Sequence, residues 1–265
     1  MIDLESVCKQ TREIAIEVGR FIKEQQSKIT ADVIENKGKH DFVTYVDKTA
    51  ELKIVKALKP IIPEAGFIAE EGTETQTGET FNWIIDPLDG TTNYIHGFSP
   101  YAVSIALKKA DKIVLGVVYE ISLQECFYSW EGAPAYLNGK TIQVSQADSI
   151  ETSLIGTGFP YRDFSLLDKY MELFKHLCMN SQGIRRPGSA ATDLAYVACG
   201  RFDAFYEYGL KAWDVAAGAF LVQQAGGNVC DFNGANNYIF GEEIIAANAQ
   251  NHQEFKTCVQ KFMLT

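Results

Sequence analysis

Apolar residues near the N-terminus fall at Leu4, Val7, Cys8, Ile14, Ala15, Val18, Phe21 and Ile22, in steps of three and four. That spacing predicts an amphipathic helix over 3–28. A polar turn is expected at Asn36-Lys37-Gly38-Lys39-His40, then a strand over 41–46, with Asp47 capping a helix over 48–59. Residues 66–69 read as a strand ending in Glu70-Glu71-Gly72, and 73–80, rich in Thr, Glu and Gly, as a mobile loop. An apolar run over 81–85 should end at Asp86-Pro87, and Gly90-Thr91-Thr92 should open a helix.

Further strands are expected over 101–107, 112–119, 125–130, 154–157, 202–206 and 243–247, with a hairpin at Asn138-Gly139. Helices are expected over 166–179, 189–199, 213–225 and 253–262, the third closed by the C-cap pair Gly226-Gly227. Helices and strands alternate without repeats or an obvious linker. The pattern therefore predicts an α/β or α+β chain with large mixed sheets, its strand order unspecified.

Acidic residues gather at the ends of these elements, where sheet proteins build sites. Asp47 lies at a strand-to-helix junction, Glu70 and Glu71 follow one strand, Asp86 and Asp89 follow another, and Asp214 sits in the first turn of a helix. Each has an ordinary structural alternative as a helix-start acid, an Asx-turn residue or a solvated loop charge. Together they offer hard oxygen ligands to divalent cations, beside N–H groups able to meet a phosphate.

The 265 residues, 46% hydrophobic and 22% charged, fit one large domain or two intimate subdomains meeting near 145–155. No apolar run approaches the roughly 18 residues of a membrane span. The N-terminal Met-Ile-Asp-Leu-Glu-Ser lacks the regions of a secretory signal, so a cytoplasmic location is expected. Cys8, Cys126, Cys178, Cys199, Cys230 and Cys258 form no Cys-x-x-Cys pair, which leaves reduced thiols rather than zinc or iron–sulfur ligands. A net charge of −10 argues against a nucleic-acid partner and would repel a phosphate, unless bound cations offset it.

The stretches Asp41-Phe42-Val43-Thr44-x-x-Asp47, Glu70-Glu71-Gly72, Trp83-Ile84-Ile85-Asp86-Pro87-Leu88-Asp89-Gly90-Thr91-Thr92-Asn93 and Trp213-Asp214-Val215-Ala216-Ala217-Gly218 closely resemble the inositol monophosphatase family. The likeness runs from the first helix to the end of the chain. It implies one catalytic domain with the layered α-β-α-β-α sandwich of the fructose-1,6-bisphosphatases, with mixed, mostly antiparallel sheets. It also implies a homodimer, and Li⁺-sensitive, Mg²⁺-dependent hydrolysis of a phosphorylated polyol, myo-inositol monophosphate.

By the same resemblance, Glu70, Asp86 and the Leu88 carbonyl would hold one Mg²⁺. Asp86, Asp89 and Asp214 would hold a second, and a third ion could lie near Glu70. Glu70 and Thr91 would position the attacking water, with Asp47 accepting the Thr91 hydroxyl. Gly90, Thr91 and Thr92 would meet the phosphate, and Gly188, Ser189, Ala190, Glu207 and Asp89 the inositol ring. His40, His96, His176 and His252 match no ligand position.

Lys37 is a surface lysine or lies near the metals, Arg185-Arg186 an interface or a solvated pair. Lys211 departs from the family pattern and could alter leaving-group recognition, and 156–162 resembles bacterial members. Competing substrates are histidinol phosphate, sugar phosphates and 3′-phosphoadenosine phosphates. A regulatory protein-binding role on the same fold is a further alternative.

Overall fold

The computed structural model describes residues 2–28, 34–38, 41–161 and 163–264, with 34–38 and 41–44 as backbone. Lys39, His40, Arg162 and the Lys37 side chain lie outside the described residues.

Helix α1 (Leu4–Gln25) starts at Asp3, whose carboxylate accepts the Ser6 N–H at 3.3 Å. It buries Val7, Cys8, Thr11, Ala15, Val18, Gly19 and Ile22, the stripe that the spacing predicted. The last residues, Gln26–Lys28, tighten into a 3₁₀ turn rather than continuing the helix. Strands β1 (Ile34–Gly38) and β2 (Asp41–Thr44) pair antiparallel, so Asn36, Lys37 and Gly38, expected in a turn, end a strand.

Helix α2 (Tyr45–Leu58) begins before Asp47 rather than after it. Asp47 is therefore a buried first-turn residue and not the cap. Its carboxylate is engaged by Thr91, a partner 44 residues away that local spacing cannot reveal.

Strand β3 (Gly66–Ala69) runs parallel to β4 (Phe81–Asp89). Expected to stop at Ile85, β4 instead passes through Pro87. Its register against β5 (Ala102–Lys109) shifts between Asp86, opposite Ser104, and Asp89, opposite Ala102. Three steps on β4 thus face two on β5. Proline, which has no N–H for the ladder, sits in that bulge rather than breaking the strand.

Helix α3 (Thr91–Ile95) follows, then β6 (Lys112–Glu120), β7 (Glu125–Trp130), β8 (Tyr136–Leu137) and β9 (Lys140–Thr141). The sheet order is β3-β4-β5-β6-β7-β8-β9, antiparallel beyond the first pair. Asn138 (φ 48°) and Gly139 (φ 85°) make the expected hairpin turn.

The second sheet has the order β11-β10-β12-β14-β13. It comprises β10 (Leu154–Thr157), β11 (Gly183–Arg185), β12 (Ala204–Tyr208), β13 (Asn228–Cys230) and β14 (Glu243–Ala247). Parallel and antiparallel pairs mix in it, and β11 and β13 were not anticipated. The remaining helices are α4 (Leu167–Asn180), α5 (Ala190–Ala198), α6 (Ala212–Gln224) and α7 (His252–Met263).

Contacts order these elements into layers. Helices α1 and α2 cover one face of the seven-stranded sheet, α5 and α6 lie between the sheets, and α4 and α7 pack together on the outer face of the five-stranded sheet. The result is an α-β-α-β-α sandwich of mixed sheets. No helix among the described residues is long and apolar enough to cross a membrane.

The middle layer is thin because its helices are built from small residues. A Cβ at Gly218 on α6 would lie 2.5 Å from the Leu194 Cβ on α5. Gly218→Val should therefore cost about 3 kcal/mol by overpacking. Thermal unfolding checks it, with Tm expected to drop roughly 5–10 °C.

Candidate active site

In a regular strand, positions 86 and 89 point to opposite faces, because side chains alternate with a period of two. The extra residue of the β4 bulge cancels that difference, and both carboxylates reach one cluster. Ligand oxygens of Asp86, Asp89 and Asp214 all lie within 4.8 Å of one another. Asp86 closes the bulge on itself, with Oδ1 accepting the Leu88 N–H at 2.9 Å. The carbonyl of Leu88 stays on the pocket side, where it and Asp47 both lie within reach of the Thr91 hydroxyl (3.1 and 3.0 Å).

Asp89 is fixed from the second sheet. Its Oδ2 accepts the Ser189 hydroxyl at 2.6 Å and the Ala191 N–H at 2.8 Å. Ser189 is also the N-cap of α5. Its hydroxyl is committed to Asp89 and Thr192, so it supports the carboxylate next to the substrate end of the pocket. Asp214 enters from the first turn of α6, its Oδ2 accepting the Lys211 N–H at 2.6 Å. The neighbouring Trp213 carbonyl accepts the Ser104 hydroxyl at 3.1 Å, tying that turn to β5. Glu70 follows β3 and prolongs the ladder, its N–H donating to the Ile85 carbonyl at 3.2 Å.

The electrostatics ask for a cation. Burial raises the Asp86 carboxyl well above its usual range, and Glu70, Asp89 and Asp214 push it further. Asp89 is raised by burial and by Asp214, against the pull of its bonds to Ser189, Ala191 and Gly90. A dense set of hard-oxygen donors, with Asp86 and Asp89 buried and Asp214 partly so, fits Mg²⁺ in ligand type and charge.

Glu70, Asp86, Leu88, Asp89, Gly90, Thr91, Thr92, Gly188, Ser189, Ala190, Glu207 and Asp214 line one pocket, with Asp47 behind it on Thr91. The backbone allows that closeness at two glycines. Gly90 has φ 90°, and a Cβ there would lie 3.1 Å from the Pro100 carbonyl oxygen and 3.2 Å from that of Gly188. Gly188 has φ 96°, and its Cβ would crowd Arg186 and Asn93. The Asn93 amide holds both loops, donating at 2.8 Å to the carbonyls of Pro100 and Pro187. At the far end, Glu207 is buried and lies over Gly158, where a Cβ would come within 2.0 Å of its Oε1.

Several residues take places that the sequence left open. Arg186 lines the pocket and donates to the Tyr161 hydroxyl at 2.7 Å, whereas the exposed Arg185 bonds the Ile184 carbonyl outside it. Lys211 lines the pocket, but its ammonium pairs with Glu242. His96, His176 and His252 stand outside it; His252 faces the Cys230 thiol and His176 packs on Phe262. All six cysteines are free thiols. Sequence reasoning assigns no role to Asn93, Tyr161 or Glu51. Glu51 had one usable signal, lying four residues after Asp47 and hence on the same helix face.

Comparison with known proteins gives the family. Residues 3–262 match the inositol monophosphatase family. The Nus factor SuhB of Pseudomonas aeruginosa is 43% identical over 247 residues, covering 91% of each chain. The crystal structure of the extragenic suppressor protein suhB from Bartonella henselae has a TM-score of 0.92 at 36% identity, covering 97% of this chain and 99% of that one. The inositol monophosphatase of Anabaena has a TM-score of 0.85 at 31% identity, covering 98% and 97%. Whole-chain coverage at these identities makes this chain a member of the inositol monophosphatase family, a family of phosphatases.

Proposed function

We propose that this chain is a Mg²⁺-dependent phosphatase that releases phosphate from myo-inositol monophosphate. The observation that carries the proposal is the meeting of Asp86, Asp89 and Asp214 within 4.8 Å, in a pocket whose other end is the buried acid Glu207. Glu70, Asp86 and the Leu88 carbonyl would hold a first ion, and Asp86, Asp89 and Asp214 would hold a second, with room for a third near Glu70. Bound Mg²⁺ supplies charge neutralisation of the phosphate and acidification of water.

The protein groups do the rest. The backbone N–H groups of Gly90, Thr91 and Thr92 face the phosphate oxygens. With five residues, α3 contributes these N–H groups more than a macrodipole. The Thr91 hydroxyl has one proton and two acceptors, Asp47 and Leu88. With its proton directed to Asp47, the Thr91 oxygen is free to accept a hydrogen bond from the attacking water; the Leu88 carbonyl would then be available to a cation. Glu70 takes the other water proton. The water oxygen bonds to phosphorus as the ester P–O bond breaks, the departing polyol oxygen takes up a proton from solvent, and no phosphoenzyme forms.

Glu207 accepts hydrogen bonds from vicinal hydroxyls of the leaving polyol, beside Gly188, Ser189, Ala190 and Asp89. The same proposal takes the chain as one catalytic domain of two close subdomains and as a homodimer, inhibited by Li⁺.

A panel of phosphate esters with Mg²⁺, with EDTA and with Li⁺ tests the assignment. Turnover of histidinol phosphate, a sugar phosphate or a 3′-phosphoadenosine phosphate in place of inositol monophosphate would overturn the substrate. Glu207→Gln should lower kcat/KM for inositol monophosphate by about tenfold, the worth of one or two hydrogen bonds to the ring hydroxyls. Turnover of p-nitrophenyl phosphate, which has no vicinal hydroxyls, should hardly change. Equal losses on both esters would contradict a polyol contact.

Relatives at 40–43% identity are described as Nus factors, which favours a second reading in which this chain shares that role. Replacement of the Pseudomonas aeruginosa protein by this chain in cells lacking it tests that reading. Rescue by an Asp89→Asn variant as well would show the role to be separate from hydrolysis.

A further inference from the structure

Glu51 stands one turn after Asp47 on α2 and is completely buried. Three donors converge on its carboxylate. The Glu71 N–H meets Oε2 at 2.7 Å, and the Thr73 N–H and hydroxyl meet Oε1 at 2.8 and 2.7 Å. The turn between those amides passes through Gly72, at φ 65°. A single acidic side chain therefore grips both sides of the turn that follows Glu70. On its other side Glu70 is held by the bond from its N–H to the Ile85 carbonyl at 3.2 Å.

The residue type matters. An ionised carboxyl has only acceptors, and it answers all three donors. An amide would set its NH₂ against one of them. Burying a charge is costly without such bonds, and more so close to a cluster that is already acidic. Closing a surface turn does not require it. What the arrangement achieves is a fixed backbone at Glu70, whose charge bears directly on Asp86. Helix α2 thus holds two arms of the site from one face, Thr91 through Asp47 and Glu70 through Glu51.

We infer that Glu51 is a positioning residue for the Glu70 arm, and that it sets the affinity for the divalent cation there. The inference rests on the phosphatase reading above. Three measurements on the intact chain test it: hydrogen exchange at the Glu71 and Thr73 amides without metal, Mg²⁺ titration by calorimetry, and kcat and KM at saturating Mg²⁺. Glu51→Gln should speed exchange at both amides and weaken Mg²⁺ binding roughly tenfold, as loss of an outer partner of a metal ligand does. The KM for the ester at saturating Mg²⁺ should stay within about twofold, and added Mg²⁺ should recover most of the turnover.

Thr73→Val, which keeps both backbone bonds, should give the same changes at a few-fold. Faster amide exchange with wild-type Mg²⁺ affinity would overturn the inference. If Glu51→Gln does not fold, that same outcome in Thr73→Val overturns it. A wild-type chain that binds no Mg²⁺ would overturn the phosphatase reading and this inference with it. A failure specific to Glu51 appears only in the variants, against a wild type that binds.

Discussion

Asp86→Asn is expected to lower Mg²⁺-dependent phosphate release by about a thousandfold or more, since a shared ligand stands behind several kcal/mol of transition-state stabilisation. The same substitution should stabilise the metal-free protein. Asp86 is buried among Glu70, Asp89 and Asp214, and its carboxyl is raised by burial and by their charges. An uncharged amide of equal size removes that repulsion and can keep the bond from the Leu88 N–H. A gain of about 1 kcal/mol would appear as a rise of roughly 2–4 °C in Tm measured in EDTA. Adding Mg²⁺ should raise the Tm of the wild type, because a ligand of the native state adds its binding free energy to stability. It should leave the variant unmoved. Opposite signs for activity and metal-free stability are the signature of a cation centre. A variant that is both inactive and destabilised in EDTA would point to a structural carboxylate instead.

The second large effect concerns the Asp47–Thr91 pair. Asp47→Ala should lower kcat by about a hundredfold, within the range for a group that handles a proton in the transition state. Calorimetric Mg²⁺ affinity should change little, because Asp47 lies behind the pocket. Without Asp47 the Thr91 hydroxyl keeps the Leu88 carbonyl as an acceptor, 3.1 Å away and itself an assigned ligand. Thr91→Val removes the same unit from the other end. The double variant should therefore be no slower than the worse single variant by more than a small factor, as residues acting together are non-additive. Additive losses would show that the 3.0 Å contact plays no part in turnover.

Much of this was legible in the chain, and the exceptions have physical causes. Helix α1 showed itself because one face is buried against a sheet, and burial leaves the three- and four-residue spacing that sequence displays. Strands β10 and β14 matched at both ends for the same reason, being mostly buried apolar runs. Pro87 misled because a proline is locally a breaker, whereas β5 can accommodate it once the register slips. Asp47 misled because its partner is on α3, and a helix start looks the same whether its acid caps the helix or reaches across the fold. Glu51 gave no sign of burial, since its three donors come from a turn 20 and 22 residues away. The acidic cluster was legible from motif likeness. The geometry by which β4, α5 and α6 present it depends on pairings between both sheets, which no local pattern encodes.

The bulge in β4 also sets two kinds of fitness against each other. Deleting Pro87 or Leu88 would restore an uninterrupted ladder between Asp86 and its successor, a gain by every rule of strand design. The two aspartates, then two positions apart, would still share a face, but a regular ladder would draw the carbonyl between them back into strand pairing, away from Thr91 and the pocket. Any search for thermostable descendants that tolerates single-residue deletions will find this position attractive, and each hit there will be a better sheet and an empty scaffold. One surplus residue in one strand is therefore where the lineage has kept a worse fold in exchange for chemistry.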